Sequence, residues 1–174
     1  MLALLLALFV LHPPLDVIDR IMAVVNQRPI TLSEVVAARQ FGLVAVPDGT
    51  ADPTRYVLDR LIDRSLMLAE VDRFQPPEPT PVEITLRVDR MVAQAGSPEA
   101  FDAALAVTGT TREQLRRYVR DSLRMDIYVA QRFGATTEPG QRDQAIANWA
   151  AELRRRAQIT VLYRPEAPTR GPSR

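Results

Sequence analysis

The sequence contains no cysteine, no lysine and a single histidine in 174 residues. Without cysteine there can be no disulfide, no thiolate zinc site and no cysteine nucleophile. The one histidine, His12, stands at the end of an N-terminal apolar run, so the rest of the chain has no imidazole for acid–base, triad or metal chemistry. Net charge is nearly absent as well. The 22 basic residues, all arginine, face 21 acidic ones for a formal +1, and nothing here builds the broad positive field that nucleic acid requires. Gly-rich phosphate loops, paired-carboxylate sites and metal-ligand spacings are missing, and no apolar run reaches the roughly 20 residues of a bilayer span. What is present, 47% hydrophobic and 25% charged residues, is the balance of a folded chain, and the length suits one domain with its own core.

Residues 1–11, MLALLLALFVL, are uninterruptedly apolar and stop at His12-Pro13-Pro14. That length matches the central region of a secretory signal peptide, although no arginine precedes the run and no A-x-A site follows it. Residues 1–14 are therefore read as a signal peptide or N-terminal anchor, 15–164 as the folded core, and 165–174, polar and proline-rich, as a disordered tail. Export to the periplasm is expected. The chain would be membrane-anchored if the first segment were retained, with no stable span once it is removed.

The core opens on the β-branched stretch Asp16–Val25, a turn at Asn26-Gln27, and a return strand Arg28-Pro29-Ile30. Pro29 cannot donate to a ladder, so the return strand belongs at an edge. Helix-start signals then recur. Thr31–Glu34 is a capping box, Asp52-Pro53 and Ser97-Pro98 are cap–proline pairs, and Thr80–Glu83 with Pro81 is both. Thr110–Glu113 reads as a further box, and Thr137 precedes Pro139. These signals predict about six helices.

Apolar stripes agree with them: Val57, Leu58, Leu61, Ile62, Leu68, Ala69 and Val71 in residues 54–74; Leu115, Tyr118, Val119, Met125, Tyr128 and Val129 in 111–133; Ile146, Trp149, Ala150 and Leu153 in 140–156. Residues 158–163, QITVLY, alternate like a strand. A lone strand leaves its backbone unpaired, so residues 158–163 are expected to pair with 17–25. The fold class is mainly α, with a small antiparallel sheet formed by the N-terminal hairpin and the C-terminal strand.

The charged residues read as surface. Asp59, Arg60, Asp63 and Arg64 interleave at helical spacing and suit exposed pairs. Arg112, Arg116, Arg120 and Arg124 form an i+4 ladder beside Arg117, offset by Glu113, Asp121 and Asp126 and without interleaved aromatics, which suits a solvated face better than a nucleic-acid stripe. Arg154-Arg155-Arg156 complements a helix dipole at its C-terminus. Trp149 reads as a core anchor. Met67, Met91 and Met125 read as core filling, or alternatively as a soft surface for apolar ligands.

Several segments together resemble the core of the SurA-type periplasmic chaperones, relatives of the PpiD and PrsA foldases. These are VIDRIMAVVNQRPITLSEVVAARQ, RYVLDRLIDRSLMLAEVDRF, LRRYVRDSLRMDIYVAQRF and the closing IANWAAELRRRAQITVLY, within residues 16–164. Members of that family carry one or two parvulin prolyl-isomerase domains between the long helix and the closing helix, each on the order of a hundred residues. Here only GATTEPG, residues 134–140, lies between Phe133 and Gln141, so the resemblance does not carry isomerase activity to this chain.

What the resemblance implies is a non-enzymatic holdase for unfolded, outer-membrane-type polypeptides, needing no cofactor or metal and binding no nucleic acid. Its clients would lie in an apolar interhelical groove, for which Phe41, Met67, Phe74, Met91, Tyr128 and Phe133 are the candidate residues. The alternative is a structural or adaptor protein that binds one folded partner or pairs with itself. Strand exchange through residues 158–163 would then make a homodimer.

Overall fold

A computed structural model describes residues 19–134 and 138–165. The readings of residues 1–14 as a signal or anchor, of Asp16–Ile18 as strand, of Thr137 as a cap and of residues 166–174 as part of a tail lie outside the described residues. Strands β1 (Ile21–Val25) and β2 (Arg28–Thr31) form a hairpin. Helices α1 (Leu32–Gln40), α2 (Pro53–Phe74), α3 (Pro81–Gln94), α4 (Pro98–Thr108), α5 (Arg112–Phe133) and α6 (Pro139–Arg156) follow, and β3 (Ile159–Val161) comes last.

The sheet order is β2-β1-β3, antiparallel throughout, so the last strand does pair with the first, and Pro29 sits on an edge strand opposite Val24. Asn26 and Gln27 both have positive φ, the geometry of a two-residue hairpin turn whose twist matches the strands. The turn also fastens β3. The Asn26 N–H donates to Gln158 O at 2.9 Å, and the Gln158 N–H donates to Asn26 Oδ1 at 3.0 Å. Beyond β3, the N–H groups of Leu162 and Tyr163 both donate to Met22 O, and the Tyr163 hydroxyl donates to the Asp52 carboxylate at the head of α2.

Helix starts follow local chemistry. Thr31 with Glu34 and Thr80 with Glu83 close reciprocal capping boxes, and Asp52 and Ser97 cap α2 and α4 ahead of prolines. The α1 terminus has a second clamp, with the Asp19 carboxylate accepting from the Ser33 N–H and hydroxyl. The box of α5 sits one residue later than the sequence suggests: Thr111 caps it, paired with Gln114 instead of Thr110 with Glu113. The reason lies in the preceding helix. Gly109, at φ +65°, ends α4, and the Thr110 N–H is spent on Leu105 O, so Thr110 belongs to that exit. Thr111→Ala should therefore cost about 1 kcal/mol in urea unfolding, and Thr110→Ala less than about 0.5 kcal/mol. The reverse order would contradict this assignment.

The core has two parts. The first joins the inner face of the sheet (Met22, Val25, Ile30) to α1, α2, Tyr128 of α5, and Trp149 and Leu153 of α6. The second lies between α3, α4 and the first half of α5, around the fully buried Phe101. Helix α5 serves both, Leu115 and Val119 in the second and Tyr128 in the first. On α2, Ala69 proves exposed and Leu66 is buried in the first core.

Candidate functional site

An open groove of about 700 Å³ runs between α2, α3, α5 and the first half of α6, closed at one end by the α1–α2 connection. Its apolar lining includes Phe41, Met67, Met91, Leu123, Met125 and Ile146. Periodicity explains the lining. Helices α2, α5 and α6 spend their main apolar stripes on the cores and leave a flanking residue at the border of the stripe, whereas α3 contributes Met91 from its core stripe. Met67, Met125 and Ile146 are half-buried, which places them at that border.

Charged groups surround this lining. Arg60, Arg64, Arg87 and Arg90 face Asp63, Asp126 and Asp143. Asp63 is already engaged: Arg154 on α6 donates from Nε to its Oδ1 at 2.5 Å, and from Nη2 to Asp59 O at 2.7 Å. Surface pairs within α2 do form, Arg55 with Asp59 and Arg60 with Asp63, but the same carboxylates also reach across to α6, and for Arg64 the reading as a surface residue is corrected. Asp59 and Asp63 hold α6 onto α2, and Arg64 turns inward. The Arg64 guanidinium lies 3.7 Å from the Tyr118 ring centroid and donates from Nη2 to Tyr118 O at 2.9 Å. Burial lowers the pKa of Arg64, opposed by attraction to Tyr118, Asp121 and Asp126, and the side chain stays charged. Burial likewise raises Tyr118, with Arg64 opposing. Asp126 is raised by burial against the pull of Arg87 and Arg64.

No protein-family model matches the chain, and no curated protein does. Among the described residues no helix is long and apolar enough to cross a membrane, and no three carboxylate, histidine or cysteine groups cluster in a way that could hold a metal.

The six candidate residues separate into two places. Phe41, Met67 and Met91 line the groove, although Met91 is largely committed to the second core and Phe41 packs on Phe101 at 5.6 Å. Phe74, Tyr128 and Phe133 instead join Trp149 in an aromatic stack, with centroids 5.3 Å apart for Phe74–Tyr128, 5.5 Å for Tyr128–Trp149 and 5.7 Å for Phe133–Trp149. Arg132 lies over three of these rings. Tyr128 is buried, while Phe74 is 61% exposed at the end of α2.

Sequence reasoning missed Arg64 and Tyr118 as groove residues. A signal for Arg64 existed, since it falls three residues after Leu61 and four before Leu68, inside the apolar stripe of α2. The arginine ladder on α5 also needs correcting at one position. Arg124 is buried, paired with Asp72 at 2.9 Å and Glu78 at 3.0 Å, because α5 crosses the end of α2 there. Arg112, Arg117 and Arg120 are each matched to a carboxylate near the surface.

Proposed function

We propose that this protein is a polypeptide-binding chaperone, a holdase of the SurA-like kind, that shelters apolar segments of unfolded chains in the groove between α2, α3, α5 and α6. The observation that carries the reading is the groove's lining: Met67 and Met125, half-buried and adaptable in shape, with Phe41 beside them and a rim of charge. Such a surface accepts many sequences, because unbranched thioether side chains repack around different ligands at little cost. The closing of both chain ends into one sheet around a helical body supports the kinship, and the short α5–α6 connection leaves no room for a parvulin insert there. The apolar run at residues 1–11 supports a periplasmic setting, and the SurA resemblance supports outer-membrane-type clients.

The test is light scattering by a urea-denatured β-barrel protein diluted into buffer with a several-fold excess of this protein. Aggregation should be suppressed by the wild type and far less by Met67→Glu, a half-buried groove position at the edge of the first core, with the variant's fold checked by circular dichroism. Absence of suppression by the folded wild type would refute the reading.

A further inference from the structure

The geometry points to Arg64 as an anchor for a carboxylate within the bound segment, so that the groove selects apolar stretches of polypeptide that carry an aspartate or glutamate. This rests on the holdase reading and adds the chemistry of the ligand to it. A guanidinium has five N–H donors, and in Arg64 only one bond is made, from Nη2 to Tyr118 O. The remaining donors have no acceptor among the described residues. The group is nonetheless held still, with one face on the Tyr118 ring and one corner on that carbonyl, so little rotamer freedom is left to lose when a ligand binds.

Arg64 and Tyr118 also line a second pocket of about 330 Å³, so the stack borders both cavities. The carboxylates that could neutralise Arg64 from within do not reach it. Asp121 accepts from Arg120 at 2.8 Å, Asp63 is bound to Arg154, and Asp126 attracts Arg64 without forming an ion pair. Arg87 and Arg90 add positive charge on the α3 side with no ion pair or hydrogen bond of their own among the described residues. A fixed guanidinium fork with free donors, set beside an apolar lining, is complementary to a carboxylate flanked by apolar side chains.

The experiment uses fluorescence anisotropy with three labelled peptides of one apolar sequence carrying Glu, Gln or Lys at its centre. Wild-type protein should bind the Glu peptide about tenfold tighter than the Gln peptide, as a charge-assisted bidentate pair implies, with the Lys peptide weakest. Arg64→Met, which keeps the length and apolar stem, should bring the Glu/Gln affinity ratio from about ten to about one. Should that variant not fold, Arg64→Lys keeps the charge without the fork and should cut the preference at least about threefold. Equal affinity for Glu and Gln in the wild type, or a preference that survives these substitutions, overturns the anchor while leaving the holdase reading standing. Failure of the wild type to bind any of the three overturns both.

Discussion

Trp149→Ala is expected to lower the unfolding free energy by about 3–5 kcal/mol, the range for removing a large buried aromatic. Trp149 is 7% exposed and touches Tyr128 and Phe133 in the ring stack, with Arg132 over its face at 5.4 Å. Offset aromatic pairs contribute about 0.5–1.5 kcal/mol each beyond the area they bury, and two are lost together. The two rings that touch it cannot collapse into the gap, since Tyr128 and Phe133 project from the regular helix α5, whose backbone is fixed by its own ladder. The damage should extend to the sheet. Leu153 and Ile159 pack in the same core, so loosening α6 loosens the approach to β3. Amide exchange at Asn26, Leu162 and Tyr163, whose N–H groups bond across that junction, should accelerate more than exchange within α4, which belongs to the other core. Because Trp149 is the chain's one tryptophan, unfolding is followed by circular dichroism. A loss under about 1 kcal/mol would mean that α6 docks by other contacts.

The parts of this structure that could be read from the sequence are those whose causes are local. A capping box is a reciprocal bond between residues three apart, and Thr31 and Thr80 announce theirs without help from the rest of the chain. The α5 box slipped by one residue because the competing exit of α4 claimed Thr110. Closure of the sheet by residues 159–161 was legible by a different argument, that a solitary strand cannot leave its backbone unpaired. The groove was only half legible. Its methionines and Phe41 could be proposed from composition, but no local rule says that Met67 faces the groove while Phe74, seven residues later on the same helix, joins the ring stack. The charged residues were the hardest. Alternating signs at helical spacing look the same whether the pairs close within one helix, as Arg55 does with Asp59, or across two, as Arg154 does with Asp63. What separates the two cases is position relative to the apolar stripe, and Arg64 lies within it.

Arg124 gives the second large effect, and the size depends on which partner is removed. Its side chain is 9% exposed, while Asp72 and Glu78, which it bridges, are 51% and 62% exposed. Neutralising both carboxylates, as Asp72→Asn with Glu78→Gln, strands a guanidinium charge in a site closed to water, at a cost of about 3 kcal/mol. The figure is held down because Asp121 stays at 3.9 Å. Arg124→Met removes the buried charge itself and keeps most of the stem, and the released carboxylates turn to solvent, so the loss should stay under about 1.5 kcal/mol. Already in the wild type the Nε, although near Glu78, has no acceptor in line with its N–H, so that donor needs the carboxylates' charge more than their hydrogen bonds.

The consequence reaches the groove. Arg124 ties α5 to the end of α2 and to the connection before α3, where Pro76 and Pro79 are buried, and α3 brings Arg87, Arg90 and Met91 to the binding surface. The double carboxylate variant should therefore bind apolar peptide more weakly than the wild type at temperatures where it is still folded, and Arg124→Met should bind nearly as well. Urea unfolding followed by Trp149 fluorescence ranks the stabilities. If Arg124→Met proved the more damaging of the two, the bridge would be acting through packing, and the charge argument would fail.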